Sequence, residues 1–130
     1  MKFFATAALT FLTTVTSAQA FSIEFDWSGL KLCTSGQPAT VASPSFKLAD
    51  VPEGTTHIRF KLVDLNVRDY NHGGGTVVWS GEAALPAGAF KYKSPCPPDG
   101  AHMYEWTATA LAGKNGAKLA QAKAKRKYPD

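Results

Sequence analysis

Long hydrophobic runs, nucleotide-binding signatures and nucleophile motifs are missing from most of this 130-residue sequence. Beyond the first 20 or so residues, no stretch is apolar enough to cross a bilayer, which takes about 20 apolar residues. We therefore expect a soluble mature protein. Neither a Gly-x-Gly-x-x-Gly run nor a Walker-type run is present, so the sequence does not predict a nucleotide site of either type. No serine or cysteine lies in a nucleophile motif, which predicts a protein that is not an enzyme.

The first 20 residues have the pattern of a cleavable secretory signal. Lys2 supplies a positive charge, Phe3 to Val15 form a short apolar core, and Ser17-Ala18-Gln19-Ala20 supplies the small residues that a signal peptidase recognises. The remainder has no internal repeats and no linker between domains. We predict a signal peptide over 1–20 and a single domain over 21–130. The protein is then periplasmic or secreted, and the Ala-Gln-Ala ending favours a bacterial periplasm.

Cysteine is scarce, since Cys33 and Cys96 are the only two in the chain. In an oxidising compartment, two cysteines most simply form a disulfide. The bond would close a loop of roughly 60 residues and contribute about 3–4 kcal/mol on the chain-entropy model. Two buried thiols or a reactive pair are the alternatives.

Positive charge is concentrated at the C-terminal end. From Lys114 onward six basic residues stand against Asp130 alone, whereas 21–113 has seven basic and nine acidic residues. Ala117 to Lys127 contains only strong helix formers, and Pro129 would stop a helix, so we predict a short C-terminal helix. Its basic side chains form a solvated face or make at most peripheral contact with an anionic membrane. We expect no nucleic acid partner.

The rest of the mature chain has an apolar period of two, which is typical of half-buried strands. The clearest strand is His57 to Asp64, in which Ile58, Phe60 and Leu62 share one face that Asp64 continues. Further strands are predicted at Ile23–Trp27, Thr76–Ser80, Phe90–Lys93 and His102–Ala108. The sequence predicts a mainly β fold, an antiparallel β-sandwich with a C-terminal helix.

Four polar side chains are candidates for a ligand pocket. A carboxylate such as Asp64, following three core residues, is either hydrogen-bonded within the fold or lines a pocket at the edge of the core. His102 and Tyr104 are two residues apart on one strand face, so both point to the same side. His72 precedes three glycines whose amides, if unpaired, would form a small nest for phosphate oxygens, although a flexible turn also explains such a run.

The order of several motifs resembles the phosphatidylethanolamine-binding protein family, which includes the Raf kinase inhibitor-like proteins. The most specific part is the proline-rich block followed by Gly-x-His-x-Tyr, at Pro95 to Tyr104. The supporting motifs, in chain order, are Ser43-Pro44, Val51 to Thr55, the strand ending in Asp64, His72, and Gly88-Ala89-Phe90. The resemblance covers nearly all of the chain after the signal.

The resemblance implies a β-sandwich with an anion pocket near one edge of the large sheet, where family members bind phosphate-like groups. Asp64, His72, His102 and Tyr104 match the family's pocket residues and are the predicted ligand-binding residues. Asn66 stands where the family has a second aspartate, and Met103 where it usually has arginine. No cofactor and no metal are expected.

Three functional classes follow. The leading hypothesis is an exported protein that binds a small anionic ligand, either a phosphate-bearing molecule or a phospholipid head group. The second is a protein-interaction module that inhibits a protease or kinase, since relatives act this way. The third is a metal-dependent or acid/base hydrolase built on Asp64, His72 and His102.

Overall fold

A computed structural model describes residues 1, 3, 8–14 and 19–130. Nine residues of the predicted signal, including Lys2 and the Ser17-Ala18 part of the cleavage motif, lie outside the described residues. Within 8–14, the side chains of Leu9, Phe11 and Leu12 are exposed and take no part in the core. Among the described residues, no helix is long and apolar enough to cross a membrane.

The described part of the chain is mainly β, with antiparallel strands and no helix. The nine strands are β1 (Ser22–Glu24), β2 (Thr40–Ala42), β3 (Phe46–Ala49), β4 (His57–Asp64), β5 (Gly74–Val78), β6 (Ala84–Leu85), β7 (Lys91–Lys93), β8 (His102–Leu111) and β9 (Lys118–Tyr128). They form a three-stranded sheet in the order β1-β3-β6, a pair β2-β7 and a four-stranded sheet in the order β5-β4-β8-β9.

The four-stranded sheet buries one face because its sequence alternates. On β4, Ile58, Phe60 and Leu62 are at most 1% exposed, while Arg59 and Lys61 between them face solvent. The inward side chains of β4 and β8 meet residues of β1, β3, β6 and β7 in one apolar cluster. Aromatic rings form its centre, where Phe46 lies 4.4 Å from Phe60 and 5.4 Å from Trp106 between ring centroids. The predicted alternation of β4 is confirmed, including the burial of Asp64.

The predicted C-terminal helix is wrong, because Lys118–Tyr128 forms strand β9. It pairs antiparallel with β8 from Leu111 to His102, with one irregularity at Ala110/Leu111. Ala120, Ala122 and Ala124 point inward, and the residues between them face outward. Alanine and lysine favour helix by only fractions of a kcal/mol per residue, which ladder pairing along a whole strand outweighs. Any membrane contact therefore cannot occur through a basic helix at this position.

Segment 25–27 covers part of the free edge of β9. The Trp27 indole N–H donates to the carbonyl of Lys127 at 2.9 Å, and Arg126 Nε donates to the carbonyl of Phe25 at 2.6 Å. The first bond uses a backbone acceptor that the edge strand would otherwise leave to solvent or to another chain, and the second attaches the Arg126 side chain of β9 to the same segment.

Candidate functional site

The four predicted pocket residues line one cleft of about 180 Å³ at the end of β4 and β8. The register of the sheet accounts for the first contact, because Asp64 on β4 lies directly opposite Tyr104 on β8. His102 is on the same face two residues earlier, and His72 comes from the segment before β5. The cleft is smaller than pockets for drug-sized ligands, which begin near about 300 Å³. Its size suits a head group or a phosphate-sized molecule.

Asp64 holds His102 in one orientation. Asp64 is 4% exposed, and its Oδ2 lies 2.6 Å from Nδ1 of His102. A carboxylate accepts hydrogen bonds, so Nδ1 carries the proton, and Nε2 is the ring nitrogen that Asp64 does not use. The sequence-based hypothesis that Asp64 orients a histidine agrees with this geometry.

Asn66 is a positioning residue that sequence reasoning missed. Its backbone N–H donates to Asp64 Oδ1 at 2.9 Å, and its side-chain Oδ1 accepts from the N–H of Met103 at 2.9 Å. The residue thus fixes the second carboxylate oxygen and ties the turn after β4 to β8. An Asp-x-Asn sequence directly after a strand is a signal for this kind of turn, since Asx side chains commonly bond nearby backbone groups.

His72 is almost fully buried, with 2% of its surface exposed. Its Nδ1 donates to the carbonyl of Lys93 on β7 at 2.8 Å, so Nε2 is again the nitrogen left for a ligand. Burial lowers the pKa of His72 below its ordinary 6.5, and the Lys93 carbonyl and the Asp64 carboxylate partly oppose this effect. The ring is therefore neutral at pH 7 and becomes a cation only in more acidic solution.

Tyr104 forms the inner wall of the cleft. It is 1% exposed, and its ring packs edge-on against His72 and Trp27, at centroid distances of 5.5 and 6.0 Å. Burial and the neighbouring Asp64 carboxylate raise the pKa of Tyr104 above its ordinary value. Its hydroxyl therefore stays protonated and is a neutral hydrogen-bond donor.

The outer wall is held by a disulfide between Cys33 and Cys96, with an S–S distance of 2.01 Å. The predicted bridge is confirmed, and it favours an oxidising compartment. It joins the loop that carries Gly36 and Pro38 to the proline-rich block, and both segments line the cleft. The hydroxyl of Tyr128, at the end of β9, accepts from the N–H of Cys33 at 2.8 Å and holds the same loop.

The glycine run after His72 forms neither a nest nor a flexible turn. Gly74 and Gly75 belong to β5, and the amide of Gly73 donates to Asn71 Oδ1 at 2.9 Å. These three glycines are not part of the cleft lining. Glycine is required because a Cβ at Gly74 would meet the backbone carbonyl of Phe60, and one at Gly75 would meet the Phe90 side chain.

The cleft has no permanent positive charge, because its lining contains no lysine or arginine. Cationic character can come only from His72 and His102. Within the described residues, no group of three or more His, Cys, Asp or Glu side chains is placed to hold a metal ion. Both carboxylate oxygens of Asp64 are already used by His102 and Asn66, so the geometry gives no support to a two-histidine, one-carboxylate metal centre.

Two structural comparisons confirm the predicted resemblance to the phosphatidylethanolamine-binding proteins at the level of the fold. A crystal structure of a phosphatidylethanolamine-binding protein homologue from Chlamydia trachomatis superposes with a TM-score of 0.59 and 20% identity, over 88% of this chain and 99% of that one. YbcL of E. coli, described as a member of the mammalian family, superposes with a TM-score of 0.61 and 19% identity, over 85% of this chain and 98% of its own. The sequence matches no family profile and no curated protein.

Proposed function

We propose that this protein is an exported module that binds a small anionic ligand, of the phosphate or phospholipid head-group class, in the cleft at the end of β4 and β8. The fold is one associated with small-ligand binding in general. The observation that carries the finer proposal is the convergence of Asp64, His72, His102 and Tyr104 on a single cleft. We also propose that the sheets of this chain pack as the β-sandwich of the phosphatidylethanolamine-binding protein family.

The donor set explains how an anion would be held. The Tyr104 hydroxyl is a neutral donor, and each imidazole becomes a donor at Nε2 when it is protonated. Asp64 does not face the ligand as a free negative charge, because His102 and Asn66 occupy its two oxygens. The apolar walls from the proline-rich block and Val67 reduce competition from water, which strengthens the few polar contacts.

Export is supported by two features. The Cys33–Cys96 disulfide is of the kind that forms and persists in oxidising, exported compartments. The core begins at Phe21, which is 8% exposed, directly after the proposed cleavage point. The apolar side chains described before it are exposed, as expected for a segment that the folded domain does not need.

A proton–nitrogen NMR titration with inorganic phosphate and phosphoethanolamine tests the ligand class. We expect saturable shifts around His72, His102 and Tyr104, and a loss of at least about tenfold in affinity for His102→Ala, because one charge-assisted hydrogen bond contributes about 1.5–3 kcal/mol. His57→Ala is the matched control, since His57 lies on the opposite face of β4. If His57→Ala weakens binding as much as His102→Ala does, the cleft is not the site.

A phosphate affinity that rises as the pH falls is the second expected result. The lowered pKa of His72 means that the folded protein binds fewer protons than the unfolded chain below pH 6.5. The contribution of neutral His72 to the free energy of unfolding is therefore fully present above pH 6.5 and is lost as the pH falls through the lowered pKa of His72. The slope for one proton is at most about 1.4 kcal/mol per pH unit. Bound phosphate that pairs with protonated His72 should restore part of the free energy of unfolding that is lost at low pH.

The measurement is denaturant unfolding from pH 7.5 to pH 5, with and without phosphate. His72→Asn retains a donor for the Lys93 carbonyl but cannot titrate, so its stability should depend less on pH than that of the wild type. The same pH dependence in both proteins would show that His72 is not the responsible group. The variant leaves His102, Tyr70 and Tyr104 unchanged. A difference in pH dependence between the two proteins therefore comes from residue 72.

A further inference from the structure

The outward face of the four-stranded sheet carries most of the net positive charge of the molecule. On this face, β4 presents Arg59 and Lys61, and β9 presents Lys123, Lys125 and Lys127, all exposed. We name these five side chains the basic face. Glu105 on β8 is the one acidic residue among them. Residues 21–130 have 13 basic and 10 acidic residues in all, so the remainder of the domain, with eight basic and nine acidic, is nearly neutral.

The charges of the basic face are not neutralised internally. The ion pair between His102 and Asp64 is the only one found within 4.0 Å among the described residues. Lysines on an edge strand such as β9 discourage strand pairing with other chains. That role does not explain Arg59 and Lys61, because β4 is an interior strand of the sheet. The two rows of cations are therefore suited to binding a partner of opposite charge.

The strip of β8 that lies between the two rows is called the trough here, with Thr107 and Thr109 as its floor. Lys61 and Lys123 lie opposite each other across Thr107 in the register of the sheet, and Arg59 and Gln121 flank Thr109 in the same way. Two strand spacings separate the rows by about 10 Å, and alternate residues along each row are about 6.8 Å apart. Thr107 is partly exposed between the rows, whereas Thr109 is 5% exposed and its hydroxyl accepts from Gln121 Nε2 at 3.1 Å.

We propose that this trough binds a linear anionic polysaccharide, with sulfate or carboxylate groups between the two rows of cations and sugar hydroxyls against the threonine floor. A single-stranded nucleic acid fits less well, because this face has no Phe, Tyr or Trp side chain on which bases could stack, and its one imidazole, His57, lies at one end of β4. A bilayer fits less well too, since the exposed apolar residues are dispersed and form no patch that could insert. Val78 and Leu119 lie on the two edge strands at one end of the sheet, and Met103 lies at the other end.

Calorimetric titration of the purified protein with a heparin-derived hexasaccharide tests this site. We expect saturable binding whose affinity falls with salt, with a log–log slope of about four, because several counterions are released together. Lys61→Glu/Lys123→Glu/Lys125→Glu should weaken binding by about a hundredfold or more. Lys31→Glu/Lys47→Glu/Lys91→Glu changes net charge equally away from the basic face and should keep most of the affinity.

A gain of binding separates the proposal from loss of folding. Glu105→Gln removes the one negative charge from the trough and should raise the affinity by about threefold. Phosphate titration of the three-lysine variant checks that its cleft, and hence its fold, is intact. Equal loss in both triple variants would overturn the proposal, as would tighter binding to phosphatidylglycerol vesicles or a thymidine oligonucleotide than to the hexasaccharide.

Discussion

Replacing both cysteines by alanine is expected to lower the free energy of unfolding by about 4 kcal/mol on the chain-entropy model. The reason is that Cys33 and Cys96 are 63 residues apart, so the bond closes a long loop and lowers the conformational entropy of the unfolded chain. Such a loss is a large fraction of the roughly 5–15 kcal/mol that stabilises a typical domain. Urea unfolding of the double variant and of the oxidised wild type measures it.

The same variant should affect the cleft less than it affects stability. The loop after Cys33 is held independently by the Tyr128 hydroxyl and by paired bonds between Ala39 and Ser94, at 2.8 and 3.0 Å. We expect phosphate affinity of the folded variant to fall by less than about tenfold, or 1.4 kcal/mol. Reduced wild type is the matched control and should resemble the variant. A stability change below about 1 kcal/mol would contradict the entropic argument.

Trp106→Ala is expected to destabilise the protein by about 3–5 kcal/mol, the usual range for removing a buried tryptophan. Trp106 is fully buried, and its ring lies 4.9 Å from Tyr92, 5.4 Å from Phe46 and 5.6 Å from Phe90. The cavity left by alanine would lie at the centre of the aromatic cluster, where three elements meet. Those neighbours cannot collapse into it without moving several strands.

Trp106→Phe should be much less harmful. The indole Nε1 of Trp106 is buried and has no hydrogen-bond partner within the described residues, and such a group costs about 1–3 kcal/mol. Phenylalanine removes this cost while it keeps most of the packing. Trp79→Phe is the comparison, because it breaks a bond that exists, from Trp79 Nε1 to the Glu82 carbonyl at 2.9 Å. A Trp106→Phe variant as unstable as Trp106→Ala would show that the N–H carries no penalty.

The strand His57–Asp64 could be predicted to the residue because its signal is local. Ile58, Phe60 and Leu62 alternate with polar residues, and a period of two has only one arrangement that buries one face. The disulfide could be predicted from composition and compartment alone. Asp64, His72, His102 and Tyr104 were predicted as ligand-binding residues from the resemblance to a known family. The structure places them around one cleft, and their role in binding a ligand stays a prediction.

Strand β9 could not be predicted from local propensity, although its sequence held the signal. Ala120, Ala122 and Ala124 alternate with long polar residues, which is a strand pattern, but every residue type in the segment also favours helix. Pairing with β8 decided between helix and strand. That pairing is a long-range contact, which the local sequence of β9 does not reveal. The basic face depends on the same decision, because a helix would have distributed Lys123, Lys125 and Lys127 around its axis.

The amino-acid sequence by itself determined the β class, the burial of Asp64 at the end of β4 and the disulfide, because each depends on local alternation or on residue chemistry. The predicted residues of the candidate site came from the resemblance to a known family. Only the tertiary structure decided that Asp64 pairs with His102, that the Asn66 N–H binds the second carboxylate oxygen of Asp64, and that Gly74 and Gly75 belong to a strand. Only the tertiary structure placed Arg59 and Lys61 in line with the lysines of β9. These features follow from sheet register, a long-range property in which a shift of one residue moves every side chain to the other face.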